Sequence, residues 1–258
     1  MFLKRIILAL SSVLVLWSAP LSAQYLLPID FSGSDSLRIS DDLERFANHI
    51  GVDIGNIPGF VFQQDREFPR IRIFYQQSGG YTFTEGRYDN NPTNGFTSLG
   101  VFTVMGDLTS NLQLLFRYNA LPVDNRAVVL NGYGARFRSA VGTDSLHALA
   151  FGVMLQKLAD ADPFFAKTLD FSLQYGWFRP RLTYRIDLTA SYISGKVDVS
   201  TNQAIGTAHD GKFEKRVIHT GFAVIREWNR LSGGLTLRYT PNIWNVNATI
   251  GWSLPSNF

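Results

Sequence analysis

From about residue 68 onward, apolar and polar residues alternate along the chain. The segment 168–178 is typical, with an apolar side chain at every second position from Leu169 to Trp177. Because successive side chains of a strand point to opposite faces, this period of two predicts strands with one apolar and one polar face. Ten such segments lie at about 69–84, 96–105, 112–120, 127–141, 146–158, 168–178, 181–193, 215–228, 231–240 and 244–254. Of these ten segments, 96–105 shows the least regular alternation of apolar and polar residues. The pattern predicts an all-β fold.

The connections between these segments predict how the strands are arranged. Those after even-numbered strands are short, near 106–111, 142–145, 179–180 and 229–230, whereas those after odd-numbered strands are longer, near 85–95, 121–126, 159–166 and 195–214, with 241–243 the exception. Transmembrane barrels have short turns on the periplasmic side and longer loops outside. The sequence therefore predicts an antiparallel up-and-down transmembrane β-barrel of about ten strands, with both ends of the barrel in the periplasm.

The last segment, Trp244–Phe258, carries aromatic residues at both ends of its apolar face and stops on Phe258. It resembles the closing strand of a bacterial outer-membrane β-barrel. That resemblance covers about residues 68–258 and is one of general architecture. It implies location in the outer membrane, contact with membrane lipid, and recognition of the terminal Phe258 by the machinery that inserts barrels.

Three regions precede or form the predicted barrel. Residues 1–23 combine two basic residues, a largely apolar core of twelve residues at 6–17 and small residues at the end, which predicts a signal peptide removed on export. Residues 24–67 form an acidic periplasmic arm with eight acids against three arginines. Within this arm a short amphipathic helix is predicted at 41–50, capped by Ser40 and ended by Gly51. We expect its acids to meet the basic barrel, 68–258, at the periplasmic mouth.

Aromatic residues fall near the ends of the predicted strands. Amphipathic rings prefer the interface between membrane and water, so two girdles are predicted. The periplasmic girdle would comprise Trp177, Trp228 and Trp252, and the outer girdle Tyr118, Tyr192, Tyr239 and Trp244. A secreted β-sandwich would explain the alternation but not these girdles.

Charged residues recur on the polar faces, which would line the lumen. The candidates are Arg70, Arg72, Arg117, Arg136, Arg138, Asp170, Arg181, Arg185, Asp187, His219 and Arg238. Eight strands leave room only for side chains, while water-filled porins use sixteen or more. The interior is therefore either packed with ion-pair networks or a narrow pore that favours anions.

The sequence offers few signs of catalysis. It contains no cysteine, no phosphate loop and no zinc signature, so we expect no cofactor, no metal and no enzyme activity. The scattered arginines do not form the basic patch of a nucleic-acid-binding protein. One alternative is a surface protease similar in outline to the omptins, with Asp160, Asp162, His209 and Asp210 in outer loops, although the family's spacing is missing. The function predicted is a structural membrane component or a narrow pore, with protein partners and substrate open.

Overall fold

The computed structural model describes residues 70–82, 96–123, 126–142, 146–159, 164–199, 209–240 and 243–254. These residues form ten strands. They are β1 Arg70–Thr82, β2 Phe96–Asp107, β3 Leu112–Val123, β4 Arg126–Val141, β5 His147–Ala159, β6 Phe164–Arg179, β7 Leu182–Val199, β8 His209–Trp228, β9 Leu231–Thr240 and β10 Ile243–Ser253. The predicted signal peptide 1–23, the acidic arm 24–67 with its helix 41–50, and Phe258 lie outside the described residues.

The ten strands close into one barrel. Each pairs antiparallel with the next, and β1 pairs with β10 from Arg72↔Ser253 to Thr82↔Ile243. This confirms the prediction of an all-β, antiparallel up-and-down barrel. A secreted sandwich is ruled out as the fold because the sheet closes on itself and does not pack against a second sheet.

The two faces of each strand differ sharply in exposure. On β7, Ile186 and Leu188 are about half exposed on the outside, while Arg185, Asp187 and Thr189 between them are buried inside. The same alternation holds along β4, β6 and β10. The barrel is therefore inverted relative to a water-soluble protein, with apolar side chains outside and polar side chains inside.

The loop lengths differ from those predicted. We call the end of the barrel at which β1 begins and β10 ends the terminal end, and the opposite end of the barrel the loop end. At the loop end, only residues 124–125 separate β3 from β4 and only 160–163 separate β5 from β6. The predicted alternation of short and long connections is thus wrong for these hairpins, because the strands continue into segments that were assigned to loops.

Strands β7 and β8 are the longest, with 18 and 20 residues, whereas β9 has 10. The register of β8 with β9 begins at Thr220, so residues 209–219 of β8 extend past the end of β9. This overhanging part of β8 remains paired with β7, up to His209↔Val199. The barrel rim is consequently higher at the β7–β8 hairpin than at β9.

The charged interior of the barrel

Most of the charged residues predicted to face the lumen are buried inside the barrel. Across the described strands, seven arginines and three aspartates are buried: Arg70, Arg72, Arg117, Arg136, Arg138, Arg185, Arg238, Asp107, Asp170 and Asp187. His219 is buried among them. Each of these side chains points inward, and the side chains next to it along the strand point outward.

Arg181 is the exception, and its predicted lumen position is wrong. It is exposed in the two-residue turn 180–181 between β6 and β7, with a φ of 66°. Period-two counting back along β7 from Arg185 reaches Arg181 as an inward residue, but the left-handed backbone there breaks the alternation. The side chain therefore lies outside the barrel interior.

A first charged cluster lies near the terminal end and is centred on Asp107. Arg72 Nη2 donates to Asp107 Oδ1 at 2.9 Å and is 2.8 Å from Oδ2. The Gln113 amide also donates to Asp107, and Arg136 Nη1 donates to Gln113 Oε1 at 3.3 Å. Arg138 Nε donates to the main-chain oxygen of Ser110 at 2.5 Å. Asp107 thus pairs directly with Arg72 and is linked to Arg136 through Gln113.

Asp107 was missed from the sequence, where it was assigned to the turn after the second strand. β2 extends to Asp107, and its inward residues Val101, Thr103 and Met105 are as apolar as its outward ones. The alternation of β2 therefore did not show which of its two faces points into the barrel. The register pairs Asp107 with Arg70 of β1, but this pairing is not visible in the sequence.

A second cluster is centred on Asp187. Arg185 donates to Asp187 Oδ2 through Nε and Nη2, both at 3.2 Å, and Arg238 Nη2 lies 3.6 Å from Oδ1. Gly221 is directly paired with Asp187, and a Cβ atom at Gly221 would lie 2.7 Å from Asp187 Oδ1. The glycine leaves space for the carboxylate to reach both arginines.

A third cluster joins Arg117 to Asp170 through Gln156. Arg117 Nη1 donates to Gln156 Oε1 at 2.8 Å, and Gln156 Nε2 donates to Asp170 Oδ2 at 2.7 Å. The Thr168 hydroxyl donates to the same oxygen at 2.8 Å. The side chains thus bridge the cation and the carboxylate by hydrogen bonds across β3, β5 and β6.

Neutral side chains lie inside the barrel beside the charged ones. Gln76 Nε2 donates to Asn247 Oδ1 at 2.8 Å, which links β1 to β10, and Asn247 Nδ2 donates to Asn245 Oδ1 at 2.5 Å. Phe74, Met105, Leu115 and Met154 form an apolar cluster of buried residues inside the barrel. Charged, amide and apolar groups are thus mixed inside the barrel.

The predicted girdle residues lie on the outer surface. Trp228, Trp252, Tyr118, Tyr192, Tyr239 and Trp244 are exposed, and Trp177 is partly exposed. Trp177 stacks on Tyr184 with ring centres 5.5 Å apart, and Tyr239 lies 4.8 Å from Trp244. The first pair is at the terminal end and the second at the loop end.

The residues considered for a surface protease are not brought together by what the structure describes. Asp160 and Asp162 lie outside the described residues. His209 and Asp210 were predicted to lie in an outer loop, but they begin β8 and pair with Val199 and Asp198 of β7. In the described ranges, no group of three or more His, Cys, Asp or Glu side chains is placed to hold a metal ion. Among the same residues, no helix has the length and hydropathy needed to span a bilayer.

Comparison with known proteins gave matches in structure alone. No protein-family model matches the sequence, and no curated protein matches it significantly. The KdgM porin in complex with oligogalacturonate has a TM-score of 0.40 and 8% identity, over 71% of this chain and 99% of that one. The translocator domain of the autotransporter NalP from Neisseria meningitidis has a TM-score of 0.38 and 10% identity, over 87% and 99%. Ail, the attachment invasion locus protein of Yersinia pestis, has a TM-score of 0.32 and 10% identity, over 72% and 97%.

Proposed function

We propose that this chain is an integral outer-membrane β-barrel protein with a closed interior, which acts as a non-enzymatic and non-conducting component of the membrane. Support for the membrane location comes from the outer surface. Large apolar side chains are exposed around the barrel on nearly every strand, including Phe116, Tyr133, Phe151, Ile218 and Leu235. A soluble monomer rarely exposes a continuous apolar patch above a few hundred Å².

The dimensions of this apolar belt support the same location. On β7 the outward residues from Tyr184 to Tyr192 are all apolar or aromatic and span nine residues. A tilted strand needs about 9–11 residues to cross the hydrocarbon core. The aromatic pairs Trp177–Tyr184 and Tyr239–Trp244 lie at opposite ends of the belt, where amphipathic rings favour the interfaces.

The observation that carries the closed interior is the complete burial of its largest polar side chains. Arg117, Arg136, Arg185 and Arg238 each expose 1% or less of their surface. Side chains that line a water-filled channel would be exposed to that water. Ten strands enclose little more space than eight, and here that space holds long polar side chains that are buried from solvent.

Recordings in planar bilayers test this proposal. We expect purified, refolded full-length protein to give no conductance steps, while a porin inserted under the same conditions gives ohmic channels. Heat-modifiable migration on gels would show that the barrel is folded in the silent samples. Stable steps from the folded protein would refute the closed interior.

One observation favours a second function, a narrow pore selective for anions. In the described strands the buried arginines outnumber the buried aspartates by seven to three. A cation entering this interior would meet a repulsive field, whereas an anion would be attracted. The pore proposal therefore predicts steps whose reversal potential in a salt gradient indicates anion selectivity, and the same recordings distinguish the two functions.

A further inference from the structure

Two lysines face each other on the outer surface at the loop end of the barrel. Lys157 of β5 and Lys167 of β6 are directly paired, and both are exposed. On the same outer face, the apolar pair Leu155↔Leu169 comes directly before them, further from the loop end. The lysine pair, as we call Lys157 and Lys167, therefore lies where the apolar belt ends.

The two ammonium groups gather around one aromatic ring. Lys157 Nζ lies 5.2 Å and Lys167 Nζ lies 5.0 Å from the centre of the Phe165 ring. Like charges that are directly opposite on neighbouring strands destabilise each other. An anion between the two ammonium groups would turn this repulsion into attraction, so the arrangement favours a bound negative group.

No carboxylate of the same two strands supplies that group within the described ranges. The single acid of the described parts of β5 and β6 is Asp170, which is buried inside the barrel. Glu214 of β8 is in register with Lys167 through Ser194 of β7, two strands away, and it hydrogen-bonds to Tyr192. Arg216, paired with Tyr192, adds a further exposed cation on this side.

We propose that the lysine pair binds the phosphate of a membrane lipid in the leaflet at the loop end. The acyl chains of that lipid would lie along Leu155 and Leu169, and its headgroup phosphate would reach the two ammonium groups. A phosphate attached to acyl chains fits because the cations lie at the boundary between the apolar belt and water. This inference rests on the proposed membrane location.

The test uses native mass spectrometry of the full chain. Protein would be released from micelles that contain equal amounts of diphosphorylated lipid A and phosphate-free monogalactosyl diacylglycerol. We expect the wild type to retain lipid A in preference. The double variant Lys157→Gln, Lys167→Gln should lose this preference by about fivefold for each charge removed, whereas Lys157→Arg, Lys167→Arg should keep it. The matched control, Arg179→Gln with Arg230→Gln, removes two exposed charges at the terminal end and should have no effect.

Three results would overturn the inference. They are an unchanged preference in the glutamine variant, an equal loss in the control variant, or displacement of the lipid by millimolar inorganic phosphate, which would show a site for free phosphate. Each sample is checked for heat-modifiable migration, and the single variants replace the double variant if it does not fold. Failure of the wild type to form a barrel in membranes would contradict the proposed function itself, and is thus distinguishable from failure of the lipid site.

Discussion

The cluster around Asp187 gives the sharpest prediction about what holds the barrel together. Substitution Asp187→Asn keeps the size of the side chain but removes the negative charge between Arg185 and Arg238. Those arginines lie 3.2 and 3.6 Å from the carboxylate oxygens, and all three residues are buried. At an effective dielectric constant of about 20, each attraction amounts to roughly 5 kcal/mol before the cost of desolvation. Loss of one partner from a buried ion pair costs about 3–5 kcal/mol, and we expect that loss in the free energy of unfolding.

A second substitution separates charge from packing. If uncompensated positive charge causes the loss, Arg238→Met in the Asp187→Asn background should recover part of it, because one of the two stranded cations is removed. The assay is reversible denaturation from lipid vesicles, followed by tryptophan fluorescence. Glu214→Gln, which removes a charge from the exposed outer face of β8, should change stability by less than about 1 kcal/mol. A loss from Asp187→Asn no larger than that of Glu214→Gln would refute the reasoning.

Three further predictions use the same folding assays. Gly221→Ala should lower the free energy of unfolding by about 1–3 kcal/mol because the new methyl group would lie 2.7 Å from Asp187 Oδ1. The control Gly106→Ala, with no atom within 4 Å of its Cβ, should be nearly neutral. Equal losses in the two variants would contradict the close approach at Gly221. Ile186→Arg should lower the free energy of unfolding from the membrane by about 2–4 kcal/mol because Ile186 is 51% exposed toward the proposed lipid. A loss near that of Ile186→Ala would argue against a lipid-facing position. Deletion of Phe258 should leave export intact but lower the yield of heat-modifiable barrel in outer-membrane fractions, and a normal yield would show that the terminal aromatic residue is dispensable.

Much of the fold could be predicted because burial in a barrel repeats every two residues. Both faces of β6 and β7 follow from the sequence alone, since each face is of one chemical type. Prediction failed where one face lacked that contrast or the backbone departed from the extended form. Both faces of β2 are largely apolar, so Asp107 was assigned to a turn, and the left-handed turn residue Arg181 was assigned to the interior.

Whether the interior is open could not be read from alternation, because it depends on distances between strands that are remote in sequence. Arg117 meets Gln156 across 39 positions, and Gln76 meets Asn247 across 171. A one-dimensional pattern gives the direction of a side chain but not the group opposite it. The same limit explains the loop lengths, since strand pairing between β3 and β4 continues through residues whose sequence resembles a loop.

The overhanging part of β8 has a consequence for contacts between molecules. A strand that outruns its neighbour offers main-chain groups along one side, and such edges invite strands from other chains. Between residues 212 and 219 the overhang carries four charged side chains, Lys212, Glu214, Lys215 and Arg216, three of them positive. Charged residues, and lysine above all, protect natural sheet edges against addition of a further strand. This density of charge opposes the addition of a further strand along the raised edge.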